Sequence, residues 1–123
     1  MFDSLDQVSG KLGFINARGK TVQPLPEDID VVWLQASYQH MVRIRQLDKK
    51  AVALQRTGQM HTYPSCLGQE AIGTGIGLAM QDEDVLVPYY RDQATQVMRG
   101  VKMQQVLQVW GGDERGNLFT GVA

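Results

Sequence analysis

Disulfide chemistry is excluded at the outset, because Cys66 is the only cysteine among 123 residues. One thiol cannot close an intrachain bridge, and such sparing use of cysteine is expected of a reducing, cytoplasmic setting. Charge of one sign is missing too: 12 Lys plus Arg face 13 Asp plus Glu. There is no basic excess to argue for nucleic acid and no acidic tail. Apolar runs fall far short of the ~20 residues a membrane-spanning helix needs, so no membrane role is expected. Residues 1–12 lack the basic start and apolar stretch of a secretory signal. Neither an internal repeat nor a low-complexity segment occurs.

What is present is a hydrophobic content of 43%, enough for a core, in a length that suits one domain. Residues 1–27 hold no sustained period. Glycines and prolines are scattered among single apolar residues, which reads as an extended N-terminal arm with one short strand around Leu12 to Ile15. Its Phe2, Leu5, Phe14 and Leu25 need a place to be buried, and a partner subunit would supply one. Residues 28–123 form the rest. Pro26-Glu27-Asp28 signals a helix start. Leu34, Tyr38, Met41, Ile44, Leu47, Ala51 and Leu54 then recur at steps of three or four, predicting an amphipathic helix of about seven turns closed by Gly58. Arg43, Arg45, Lys49, Lys50 and Arg56 on that helix read as a solvated face.

After a loop with His61, Tyr63, Pro64 and Cys66, Ser65 is placed to cap a second helix over residues 68–80. That helix keeps Gly73, Gly75 and Gly77, each costing about 1 kcal/mol of helix propensity relative to alanine. Gly73 and Gly77 share a face, so a close backbone approach to a neighbour is expected there. Val85 to Val87 reads as a short buried strand ended by Pro88, followed by a helix from Asp92 that stops at Gly100. A last helix carries Val106, Leu107, Val109 and Trp110 and closes at Gly111-Gly112. The final residues, Gly116 to Ala123, end in loop chemistry, which suggests truncation or a terminus tied down by a partner.

The chemistry-bearing stretch is Pro88-Tyr89-Tyr90-Arg91-Asp92. Ligands gather beyond the carboxyl ends of strands, and a helix N-terminus beside an arginine attracts anions. A phosphate-like ligand near Tyr90 and Arg91 is therefore expected; the rival reading is a solvated arginine at a surface strand end. Other constellations fail. Gly73-Thr74-Gly75-Ile76-Gly77 lacks the third glycine of a dinucleotide fingerprint, since Leu78 stands there, and no strand precedes it. Cys66 and His61 have no third orienting group, so the cysteine reads as structural. His40 has no second ligand at helical spacing, and Asp82-Glu83-Asp84 lacks the length and glycine of a calcium loop.

Several motifs in order carry a family resemblance: Ala51-Val52-Ala53-Leu54-Gln55-Arg56, Gly68-Gln69-Glu70-Ala71, Pro88-Tyr89-Tyr90-Arg91-Asp92, Arg99-Gly100, and Trp110 through Gly116. Over residues 28–119 the chain resembles the N-terminal part of the alpha subunit of thiamine diphosphate-dependent 2-oxo acid dehydrogenases. The bacterial pyruvate enzymes are most similar and the branched-chain enzymes a close alternative. The resemblance implies an α/β fold of which this would be a mostly helical N-terminal part with one short parallel strand. It implies oxidative decarboxylation of a 2-oxo acid with acyl transfer to lipoyl, an α2β2 tetramer with a beta subunit, and a lipoyl domain as further partner. Tyr90 and Arg91 match the tyrosine and arginine that contact thiamine diphosphate, with Arg91 on the diphosphate. Thr62, Tyr63 and Tyr89 match positions near the active-site mouth. Gln93 departs from the histidine many members carry, which removes a titrating group at that place. The Gly-Asp-Gly…Asn signature that holds magnesium is not within these residues, so Mg2+ ligands are expected beyond residue 123. No catalytic residue is assigned here, and the isolated chain is expected to be inactive. A non-catalytic helical assembly module, with Arg91 as a surface residue, is the reading from a different class.

Overall fold

A computed structural model describes residues 13–27 and 29–118. It divides into two compact units, one up to Val31 and one from Val32 onward. In the first, Ile15 and Thr21 form an isolated antiparallel bridge. The Asn16 carboxamide closes the turn by accepting from the N–H groups of Arg18 (2.9 Å) and Lys20 (3.1 Å). Phe14 is half-buried and Leu25 exposed; Phe2, Leu5 and Leu12 lie outside the described residues.

The second unit is helical. Helix α1 spans Val31–Arg56, α2 Glu70–Ala79, α3 Gln93–Met98 and α4 Met103–Trp110, with a 3-10 turn at Glu114–Asn117. The start of α1 lies later than the proline and acids predict. Pro26 instead closes a turn, its carbonyl accepting from Ile29 N–H at 3.2 Å. The first helical turn carries no acid, and Asp28 lies outside the described residues. The end is as expected. Gly58 N–H donates to the Gln55 carbonyl and Gln59 N–H to that of Leu54, with Gly58 at φ 72°. Two otherwise orphaned carbonyls are satisfied in this way.

On α1 the buried stripe is His40, Ile44, Leu47, Asp48 and Ala51. Ile44, Leu47 and Ala51 fit the predicted apolar face, whereas Tyr38 is exposed and two polar residues join the stripe. His40 donates through Nε2 to the Ala94 carbonyl at 3.1 Å, tying α1 to α3. Ile44, Leu47, Cys66, Ala94 and Val106 form one core cluster; Ala51, Met60 and Tyr63 form another. Leu107 and Trp110 of α4 pack against both, so α4 joins the two.

The expected close approach at the glycines of α2 is present. A Cβ added at Gly73 would lie 2.6 Å from Ala94 Cβ, and one at Gly77 would lie 2.6 Å from Met98 Cβ. Thr95 Oγ1 adds a hydrogen bond to the Gly73 carbonyl at 3.1 Å. These contacts seat α2 directly on α3.

Two expectations need correction. Ser65 does not cap α2; its hydroxyl donates to Asp48 and accepts from Leu67 N–H. The helix starts at Glu70, whose own carboxylate takes the Gly68 N–H at 3.0 Å. The strand at Val85 to Val87 also does not form. Val85 and Val87 are 85% and 86% exposed, and the one β-bridge among the described residues is the Ile15–Thr21 pair. A strand exists only through ladder hydrogen bonds to a neighbour, and no described segment supplies them. Arg99 fixes the preceding turn instead, donating to the carbonyls of Gln81 (2.9 Å), Asp82 (3.3 Å) and Asp84 (3.1 Å).

Candidate functional site around Arg91

Residues 88–92 leave the extended segment and enter α3 through a tight turn. Asp92 N–H donates to the Tyr89 carbonyl at 3.1 Å. In return, the Asp92 carboxylate accepts from Tyr89 N–H at 2.7 Å. Because Asp92 carries negative charge at the start of a six-residue helix, little of an anion-attracting helix terminus remains. The cationic character of the site rests on Arg91.

The Arg91 guanidinium is held on two sides. Nε donates to the Ser65 carbonyl at 3.0 Å. Nη1 donates to the hydroxyls of Tyr89 at 3.1 Å and Tyr90 at 2.8 Å. Its central carbon also lies 4.7 Å from the centroid of the Tyr90 ring, within cation–π range. The two tyrosine rings sit 4.0 Å apart at a tilt of 51°. None of the hydrogen bonds found among the described residues uses Nη2. The hydrogen bond to Tyr89, partly offset by desolvation, raises the Arg91 pKa. Tyr90 is shifted down, first by its hydrogen bond with Tyr89 and then by the Arg91 charge. This arrangement offers a fixed cation and polarised hydroxyls, which suit phosphate oxygens.

Tyr89 and Tyr90, about half exposed, line a cleft of about 420 Å3 together with Gln105, Val109 and Trp110. The other residues predicted for the site separate. Thr62 is exposed, whereas Tyr63 is 5% exposed and lies edge-on to Trp110 with centroids 5.9 Å apart. Tyr63 therefore serves the core. Gln93 is buried as well, its Nε2 donating to the carbonyls of Tyr90 (3.0 Å) and Pro64 (3.3 Å). An amide at this place ties two loops together, a task that needs no titrating group. Among the described residues, no group of three His, Cys, Asp or Glu side chains is arranged to hold a metal ion.

Sequence reasoning missed the support behind the site. Asp48, 3% exposed, accepts from Ser65 Oγ and Cys66 N–H, each at 2.8 Å. It is the one acid of α1 and falls on the apolar stripe four residues after Ile44, which was the available signal. Cys66 beside it is 1% exposed, and burial, reinforced by the Asp48 charge, pushes its thiol up to about 12. Arg45 pairs with Glu70, whose carboxyl is held below its usual range chiefly by that hydrogen bond.

Comparison with known proteins places the chain in a family. The family described as "Dehydrogenase E1 component" matches residues 38–120. The chain is similar to the pyruvate dehydrogenase E1 component subunit alpha of Mycoplasma genitalium, 38% identical over 84 residues, which cover 68% of this chain and 24% of that protein. The corresponding subunit of Acholeplasma laidlawii is 41% identical over 81 residues, covering 66% and 24%. The 3-methyl-2-oxobutanoate dehydrogenase subunit alpha of Mycobacterium tuberculosis is 35% identical over 112 residues, covering 91% and 29%. The matched part is thus 24% to 29% of each relative's length. No solved structure matches. With two thirds of its length matched in this way, the chain belongs to the dehydrogenase E1 component family.

Proposed function

We propose that this chain is part of the alpha subunit of a thiamine diphosphate-dependent 2-oxo acid dehydrogenase, with pyruvate as substrate. The observation that carries the site assignment is the Arg91 guanidinium, oriented by Ser65 and by Tyr89 and Tyr90, the two tyrosines that line a cleft. In this reading Arg91 binds the diphosphate, and Tyr90 orients the cofactor beside it. The cofactor would supply the carbanion chemistry for decarboxylation, while the protein binds, orients and sets charge. Tyr89 belongs to the rim of the same site, and exposed Thr62 to its mouth. Partners are a beta subunit in an α2β2 tetramer and a lipoyl domain that accepts the acyl group. Magnesium ligands belong outside these 123 residues.

A branched-chain substrate is the second reading, favoured by the Mycobacterium tuberculosis relative, which matches 91% of this chain. Calorimetric titration of thiamine diphosphate with magnesium into the chain co-expressed with a beta subunit tests the site. Arg91→Ala should weaken binding by about tenfold or more, as loss of a charge-assisted phosphate contact would. Unchanged affinity in a folded variant would leave Arg91 as a surface residue and remove the assignment.

A further inference from the structure

Ser65 C=O and Cys66 N–H belong to one peptide group, and opposite charges hold its two ends. The Cys66 N–H donates to Asp48 Oδ1 at 2.8 Å, while the Ser65 carbonyl accepts from Arg91 Nε at 3.0 Å. The Ser65–Cys66 bond is trans, so N–H and C=O of this amide point in opposite directions within one plane. We infer that Asp48 is a positioning residue for the Arg91 guanidinium, acting through the Ser65–Cys66 peptide. The functional consequence rests on the reading of Arg91 as an anion-binding group.

Two physical effects carry the coupling. The first is orientation. A planar amide gripped at its N–H cannot rotate without losing that bond, so its carbonyl direction is fixed, and with it the Nε end of the guanidinium fork. Asp48 Oδ2 strengthens the grip by accepting from Ser65 Oγ at 2.8 Å. Gln93 holds the adjoining carbonyl of Pro64 from the other side and ties it to Tyr90. The second effect is polarisation. A carboxylate on the N–H end shifts electron density toward the carbonyl oxygen and makes it a better acceptor, and such chains strengthen one another where water is excluded. Asp48 and Cys66 are 3% and 1% exposed, so water is excluded from the N–H end of this amide.

The need for a carboxylate follows. Burying a charge is costly unless hydrogen bonds satisfy it. Neither ion pair found among the described residues, Arg45–Glu70 and Arg115–Asp113, includes Asp48. A neutral side chain on the stripe of α1 would pack at less cost. What the carboxylate adds is two acceptor oxygens on one loop and a negative end for the amide that Arg91 reads.

The test uses the full 15N-labelled chain and the Arg91 Nε–H resonance, identified by its disappearance in Arg91→Lys. Wild type should show this proton protected from solvent exchange and shifted downfield. Asp48→Ala should move it to the position of exposed arginines and weaken inorganic pyrophosphate about tenfold in calorimetry. Asp48→Asn keeps shape and one acceptor oxygen, so it folds; it should leave the resonance present but displaced part way, with affinity about threefold weaker. A resonance identical to wild type in Asp48→Asn overturns the inference, as does an unchanged resonance in a folded Asp48→Ala. Pyrophosphate binding unaffected by Arg91→Ala sinks the anion reading instead, and the resonance still decides whether Asp48 positions Arg91.

Discussion

Gly73 and Ala94 meet so closely that a Cβ on the glycine would stand 2.6 Å from that of the alanine. The same added carbon would lie 3.2 Å from both Thr95 N and Thr95 Oγ1. The neighbour is therefore a rigid helix start rather than a flexible side-chain end. Gly73→Ala should lower stability by about 1–3 kcal/mol through overpacking, even though alanine favours helix by about 1 kcal/mol. Gly75, one residue pair along the same helix, has nothing within 4 Å. Gly75→Ala should raise stability by up to about 1 kcal/mol. Urea denaturation of both variants gives the comparison, and equal effects would refute close packing as the reason for Gly73.

At Gly58 the cause is backbone conformation. Its φ of 72° places it in the left-handed region, with open space around the missing Cβ. Gly58→Ala should cost about 1 kcal/mol with no change in helix content. Thermal unfolding followed at a helical wavelength reads it, and a stabilised variant would contradict the C-terminal role.

Cys66 should resist alkylation in the folded chain. Its thiol is buried and titrates at about 12 against 9.0 for the free group. Because the folded state keeps the proton longer than the unfolded one, stability is full below about pH 9.0 and falls as pH rises toward 12. Cys66→Ala should flatten this alkaline limb. An alkylation rate in native buffer equal to that in denaturant would show the thiol to be accessible.

Glu70 gives the acid counterpart. Its folded pKa lies below the ordinary carboxyl value of 4.5, first through the hydrogen bond from Arg45. The carboxylate's contribution is therefore present above that value and is lost as pH falls through the folded pKa. Glu70→Gln should remove part of the acid dependence while leaving the neutral-pH fold intact. Stability curves for wild type and variant that stay parallel from pH 7 to pH 3 would disprove the pairing.

Arg91→Lys is the sharpest probe of the site itself. Lysine keeps the charge but cannot donate at once to Ser65 and to both tyrosine hydroxyls, as the fork does. Thiamine diphosphate binding in the presence of a beta subunit should fall by about tenfold or more. Binding equal to wild type would mean that charge alone, and not orientation, matters at this position.

Local pattern settled a good part of this protein. The three-and-four spacing on α1, Gly58 as its stop, the glycine pair at 73 and 77, and the motif order were all legible, because each depends on residues close in sequence. So was the family, confirmed by the match over residues 38–120. Tertiary contacts decided the rest. Whether Val85 to Val87 forms a strand depends on ladder partners elsewhere, and periodicity in one segment cannot supply them. Tyr63, expected near the active-site mouth, is buried edge-on to Trp110, 47 positions later in the chain. Asp48 went unmarked in the sequence, and only folding sets it against the Ser65–Cys66 peptide that also meets Arg91. The sequence alone determined helices, stops and a cationic loop, since those follow from short-range sterics and propensity. Only the tertiary structure decided which polar groups are buried and which of them face one another, since burial and hydrogen bonding across 17 to 26 residues are properties of the packed chain.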